Sequence, residues 1–150
     1  MDRLGKTVAV ALALSCATAA VGQEASRPPG DGVLCAYGIY ANVQFVAREC
    51  GWDRLTIDTA IDRAVSDIEV YIIANATDPE IVARTRENLR LGAAALAEWP
   101  ESERQAFCEG TSNERPNYAL PFRTLEPTKL EQMIKKLLSA PGEPTNGVCY

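Results

Sequence analysis

The stretch of sequence that decides the fold runs from residue 33 to residue 50 and reads VLCAYGIYANVQFVAREC. Its apolar residues recur at the spacing that places side chains on one face of an α-helix. They are Cys35, Ile39, Val43, Val46 and Cys50. Gly51 follows directly, and glycine is the residue that most often ends a helix in the left-handed conformation. We therefore expect one amphipathic helix with a cysteine near each end.

These two cysteines cannot bond to each other if that helix forms. Cys35 and Cys50 are fifteen residues apart, which at about 1.5 Å per residue is about 22 Å along a helix. A disulfide needs Cα atoms within about 7 Å of each other. Each cysteine must therefore pair with Cys108 or Cys149, in the C-terminal third of the chain. The bundle topology described next favours Cys50–Cys108 and Cys35–Cys149.

Helical periodicity continues on the C-terminal side. A second helix is predicted over residues 54–74, where Ile57, Ile61, Ile68 and Ile72 share a face. Asp78 is a suitable N-cap for a third helix, with Pro79 at its first position, and Pro100 ends it. A short helix over 101–109 and a last helix over 127–139 follow. Because the connections between the three longest helices are short, we predict an all-α, up-down bundle of four to five helices stapled by two disulfides.

Residues 110–126 show no periodicity, and an irregular stretch of this length is unusual in a small domain. The stretch contains aromatic and arginine side chains, which are typical of protein contact surfaces. The candidate contact residues are Arg115, Tyr118, Phe122 and Arg123. The alternation of Tyr118, Leu120 and Phe122 leaves a second interpretation open, in which these side chains fold inward and close one end of the bundle.

The N-terminus has the order of a secretory signal peptide: basic residues, an apolar run over 8–14, then small residues. We expect a signal peptide over 1–22, a flexible arm over 23–31 and a single helical domain over 32–150. Cleavage could follow Ala19, Ala20 or Gly22, and lipidation of Cys16 is an alternative. The predicted location is the periplasm or the extracellular space, where Cys35, Cys50, Cys108 and Cys149 would form two disulfides.

Charge narrows the range of partners. Removal of residues 1–22 leaves 128 residues with 13 basic and 19 acidic side chains, a net charge of −6. Such a chain repels nucleic acids and anionic lipid surfaces, so we expect no nucleic-acid partner. The sequence after the leader contains no apolar segment of the length that spans a bilayer, so no membrane span is expected.

The absence of histidine limits the available chemistry. It excludes Ser-His-Asp and Cys-His catalysis, the usual zinc sites and haem attachment through a CxxCH motif. Paired cysteines would leave no thiol nucleophile. Carboxylates remain, either Asp58 and Asp62 on one helix face or Glu49 beside Trp52, but ion pairing of the aspartates and solvation of Glu49 are the favoured interpretations. We expect no enzyme activity, no metal site and no cofactor.

Three functions are therefore considered, in order. The first is an exported interaction protein with a protein partner, such as an inhibitor, an immunity-type protein or an accessory factor. The second is a carrier of a small apolar ligand, suggested by the small residues over 92–95 that could leave a cavity. The third is a glycan-cleaving enzyme that uses carboxylates.

Overall fold

The computed structural model describes residues 27–147. Within this range the chain forms five α-helices and one 3₁₀-helix, with no strand. The helices are α1 (Val33–Glu49), α2 (Thr56–Asn75), α3 (Ile81–Ala97), α4 (Glu101–Cys108), the 3₁₀-helix (Leu120–Thr124) and α5 (Pro127–Leu137). The prediction of an all-α fold is confirmed. The predicted signal peptide, Cys16 and Cys149 lie outside the described residues.

Helices α1 and α2 form the centre of the fold and run antiparallel. The Tyr37 hydroxyl donates to Glu69 Oε1 (2.7 Å). About two helical turns further along α1, Gln44 Nε2 donates to Asp62 Oδ1 (2.7 Å). As the α1 residue number rises by seven, the α2 partner falls by seven, which is the register of antiparallel helices. The largest fully buried side chains are Tyr37, Ile61, Ile68, Ile72, Leu130, Val33 and Val43. Most belong to α1 and α2, so these helices supply most of the hydrophobic core.

Helix α3 begins slightly later than the sequence indicates. Its first helical residue is Ile81, and residues 79–80 form a turn before it. Asp78 nevertheless caps this turn, because its carboxylate accepts a hydrogen bond from the Glu80 N–H (3.0 Å) and pairs with Arg84. The N-cap of α3 is Glu80, which makes no side-chain capping bond, so the predicted N-cap at Asp78 was wrong. The helix begins two residues later than predicted, a shift that is common at helix ends.

Helix α3 packs against α1 and only weakly against α2. Of its residues only Val82 and Leu96 are buried. The small residues over 92–95 do not make a close helix–helix contact, since a Cβ added to Gly92 would have no atom within 4 Å. This arrangement leaves an open groove between α1, α2 and α3.

Helix α5 covers the other side of α2. Its charged face is exposed, whereas Leu130 and Ile134 are buried against the core. Within residues 27–147, no helix combines the length and the apolar composition needed to cross a bilayer.

The predicted pairing of Cys50 with Cys108 is confirmed. The two Cα atoms lie 5.5 Å apart, and the bond joins the C-terminal end of α1 to the last residue of α4. It closes the chain over a separation of 58 residues. Trp52, just beyond α1, donates its indole N–H to the Cys108 carbonyl (3.2 Å) and so reinforces the same junction.

The C-terminal segment 140–147 lies against the start of α1. The Leu34 N–H donates to the Thr145 carbonyl (3.0 Å), and the Thr145 N–H donates to the Gly30 carbonyl (3.0 Å). Gly30 has a φ of +85°, and a Cβ there would lie 2.3 Å from the Glu143 carbonyl oxygen. Only glycine fits this close approach without strain. The end of the predicted flexible arm is thus hydrogen-bonded to the tail, and residues 23–26 lie outside the described range.

Candidate functional site

The segment between α4 and α5, residues 109–126, is fixed to the domain by a buried asparagine. Asn117 is the one buried polar residue of the described range. Its amide donates to the Phe107 carbonyl (3.0 Å), and its carbonyl oxygen accepts from the Ala119 N–H (3.0 Å). Because Ala119 is also buried, the backbone on both sides of residue 118 is held in place.

Phe122 and Arg123, two of the four predicted contact residues, point inward. The Phe122 ring packs edge-to-face on Tyr40, with ring centroids 6.0 Å apart. Arg123 binds Asp58 at the start of α2 in a bidentate manner, with Nε–Oδ1 and Nη2–Oδ2 distances of 3.2 and 2.9 Å. The Arg123 and Asp58 side chains are largely buried, at 13% and 12% exposed. Phe122 and Arg123 therefore attach the loop to the helices and do not form part of its exposed surface.

Arg123 also joins the loop to the disulfide junction. Its guanidinium lies 4.7 Å from the centre of the Trp52 ring and donates to the Asp53 carbonyl (2.5 Å). Burial works against ionisation of Asp58, yet hydrogen bonds from Arg123 and the Leu55 N–H, and the charges of Arg123 and Arg54, lower its pKa below the ordinary value. The pair is therefore ionised at neutral pH.

Tyr118 and Arg115, the other two predicted residues, are at the surface. The Tyr118 side chain is 74% exposed, more than any other bulky apolar or aromatic side chain within residues 27–147. Arg115 stacks over Trp99 at 4.1 Å from the ring centre and pairs with Glu103 at 3.5 Å. We call two exposed side chains of this loop, Arg115 and Tyr118, together with Trp99, on which Arg115 stacks, the aromatic surface.

The inward-facing residues of this loop differ from the alternation read in the sequence. Asn117 and Ala119 are buried, Tyr118 is exposed, and Leu120 and Phe122 are half-buried. The 3₁₀-helix from Leu120 replaces the extended geometry on which the alternation depended. Neither Asn117 nor Trp99 was among the predicted site residues, although an asparagine between Pro116 and Tyr118 is a signal of an Asx-type turn.

The candidate carboxylates are held in structural interactions. Asp62 accepts from Gln44 and pairs with Arg54, and Asp58 is bound by Arg123. Glu49 is exposed to solvent, so its carboxylate is not buried in an apolar environment. Within residues 27–147, no group of three or more histidine, cysteine or acidic side chains could hold a metal ion. Nothing in this geometry singles out an acid–base pair.

An apolar pocket between α1 and α5, remote in sequence from residues 92–95, is too small to hold a small apolar ligand. Ala36, Ile39, Tyr40, Met133, Ile134 and Leu137 line it. Its volume is about 10 Å³, about the space of a single water. This pocket gives no support to the carrier hypothesis.

Comparison with known proteins gives no further guide, because no protein-family model, no curated protein and no solved structure matches this chain.

Proposed function

We propose that this chain is an exported, non-catalytic interaction protein that binds a protein partner through the aromatic surface. The observation that carries the proposal is the exposure of Tyr118 between two buried neighbours, Asn117 and Ala119. An aromatic side chain held on a fixed backbone loses little conformational entropy on binding. Tyrosine, tryptophan and arginine are also the residues that most often dominate binding energies at protein interfaces.

The anchoring contacts support this reading of the loop. Asn117, Phe122 and Arg123 make the hydrogen bonds, ring contact and ion pair that fix the segment. None of them requires Tyr118 or Arg115, so no packing contact found within residues 27–147 accounts for a tyrosine at position 118. A side chain that the fold does not use, on a backbone that the fold fixes, is well suited to recognition.

Tyr118→Ala is expected to weaken partner binding about thirtyfold or more, enough to lose the partner in a capture experiment, while leaving the domain stable. Truncation of a central aromatic contact typically costs about 2 kcal/mol or more, about a thirtyfold loss of affinity. The purified protein would be used to capture partners from the exported fraction of its own host, with identification by mass spectrometry. Val70→Ala is the control, because Val70 is 66% exposed on α2.

The proposal is supported if one protein is retained by the wild type and by Val70→Ala and is lost with Tyr118→Ala. Thermal unfolding of all three proteins should agree within about 3 °C, as expected for surface substitutions. A specifically retained protein that Tyr118→Ala binds equally well would place the contact elsewhere. Failure of the wild type to retain any protein would remove the proposal.

We further propose that a second disulfide joins Cys35 to Cys149, as expected for an exported chain. The support is the position of the C-terminal segment: the Leu34 N–H bonds to the Thr145 carbonyl, and a Cβ on Gly147 would meet Asp31. The described chain thus reaches the start of α1 two residues before Cys149.

Peptide mapping of the protein under non-reducing conditions is expected to yield a Cys35–Cys149 peptide beside a Cys50–Cys108 peptide. The intact mass should be lower than that of the reduced chain by four hydrogens, and its value fixes the cleavage site of the leader. Free thiols at Cys35 and Cys149 in protein purified from its native compartment would refute the second bridge. A mass that includes residues 1–22 would refute leader removal.

A further inference from the structure

The groove between α1, α2 and α3 has the size of a small-molecule site. Its volume is about 590 Å³, within the range of about 300–1,000 Å³ that ligand pockets occupy. Five apolar side chains form its floor: Ala41, Phe45, Val65, Leu89 and Ala93. Phe45, Leu89 and Ala93 are only half-buried, because α3 packs weakly on α2 and leaves their surfaces uncovered.

One end of the groove is closed by polar groups that satisfy one another. Glu69 Oε1 accepts hydrogen bonds from the Tyr37 hydroxyl (2.7 Å) and from Arg86 Nε (2.9 Å). Burial, together with the hydrogen bond to Glu69 and its charge, raises the pKa of Tyr37, although Arg86 opposes this. The hydroxyl therefore remains a donor to Glu69, and this end offers no free polar group to a ligand.

The other end of the groove carries Arg48 from the last turn of α1 and Arg90 from α3. Arg90 is paired with Glu87, whereas the Arg48 guanidinium has no hydrogen-bond or ion-pair partner within residues 27–147. The lining as a whole holds three arginines and two glutamates. Glu69 and Glu87 pair with Arg86 and Arg90, and Glu49 is the remaining carboxylate of the lining, next to Arg48 in sequence. Arg48 is therefore the lining cation whose charge is not already paired within residues 27–147.

We propose that this groove binds an amphiphilic carboxylate, with its alkyl chain on the apolar floor and its carboxylate at Arg48. Covering Phe45, Leu89 and Ala93 removes exposed apolar surface from water, which is favourable in proportion to the area covered. A guanidinium is the side chain that best matches the planar geometry of a carboxylate. The site is separate from the aromatic surface and needs no protein partner.

The proposal is tested by calorimetric titration of the purified protein with decanoate, decanol and decyltrimethylammonium. Decanoate is expected to bind saturably, decanol about tenfold more weakly, and the cation more weakly still. Ala93→Phe fills the floor and should weaken decanoate binding by about tenfold or more. Ala83→Phe is the matched control, because it adds the same ring to an exposed position of the same helix.

Two more variants make the test specific. Arg48→Gln should weaken decanoate by about tenfold and leave decanol unchanged, and Tyr118→Ala should leave decanoate binding unchanged. The proposal is overturned if decanoate shows no saturable binding, if the cation binds as tightly as the anion, or if Ala93→Phe and Ala83→Phe bind decanoate equally. Loss of decanoate binding in Tyr118→Ala alone would place the ligand at the aromatic surface and would also overturn it.

Discussion

Replacing Cys50 and Cys108 with serine is expected to lower the free energy of unfolding by about 4 kcal/mol. The bridge spans 58 residues, and the loop-entropy model gives about this value for a cross-link of that separation. For a domain of this size the loss corresponds to a fall of about 10–20 °C in the unfolding temperature. Denaturant titration of the double variant and of the wild type measures it.

The physical reason extends beyond chain entropy. The bond holds the end of α1 against the end of α4, and the Trp52 indole uses the Cys108 carbonyl as its acceptor. Loosening α4 would therefore leave a tryptophan N–H without its partner. The single variant Cys108→Ser should be at least as destabilised as the double variant, because it also leaves the Cys50 thiol unpaired. A loss below about 1 kcal/mol would show that helix packing alone maintains this junction.

Arg123→Met is expected to cost about 3 kcal/mol of stability, the second large effect. Removing one partner of a buried ion pair leaves the other charge without compensation, and such losses run at about 3–5 kcal/mol. The pair is not fully buried, since about an eighth of each side chain is exposed, so the lower end of that range is appropriate. Thermal or denaturant unfolding of the variant measures the loss.

Two controls separate the charge pair from general damage. Arg54→Met breaks the more exposed pair with Asp62 and should cost less than about 1 kcal/mol. The double variant Asp58→Asn with Arg123→Met removes both charges and should recover part of the loss, as a double-mutant cycle detects. If Arg123→Met and Arg54→Met were equally harmful, burial would not be the reason for the effect.

The same pair predicts a pH dependence with a definite sign. The pKa of Asp58 is lowered in the folded protein, so the folded state binds its proton less readily than the unfolded chain does. The ion pair therefore contributes its full stability above the ordinary aspartate value of 3.8. The contribution is lost as the pH falls through that value towards the lower folded pKa. Asp58→Asn should flatten the stability profile in this acidic range.

The Cys50–Cys108 disulfide and the Arg123–Asp58 ion pair meet at Trp52, which connects the stability of the domain to the proposed function. Trp52 contacts Cys108 on one side and Arg123 on the other, and Arg123 in turn binds Asp58 at the start of α2. The loop that displays Tyr118 therefore rests on both the disulfide and the ion pair. Variants at this junction should weaken partner binding indirectly, because they loosen the loop and destabilise the domain. Tyr118→Ala should weaken partner binding directly, without loss of stability.

The helices follow from local sequence, and most of them were predictable for that reason. The apolar spacing over 33–50 depends only on residues within one helix, and α1 spans Val33–Glu49. The cysteine pairing was also accessible, because helix length forbids Cys35–Cys50 and the topology then favours Cys50–Cys108. Pro100 and Pro127 marked the neighbouring boundaries, since proline cannot sit inside a helix without breaking a hydrogen bond.

The candidate site was only half predictable. Sequence alone selected Arg115, Tyr118, Phe122 and Arg123 by residue type, and residue type does not state which way a side chain points. That direction depends on contacts made across long sequence distances: Arg123 with Asp58, 65 residues away, and Phe122 with Tyr40 on α1. No local pattern in residues 110–126 contains this information.

The sequence by itself determined that this chain is helical, where its longest helices lie and that it contains no histidine, because helix periodicity and residue content are local properties. The tertiary structure decided that Arg123 and Phe122 hold the loop and that Tyr118 is displayed. It also decided that α3 leaves a groove beside α2. Those outcomes depend on how helix faces meet in space, where burial, charge pairing and the disulfide act together across the chain.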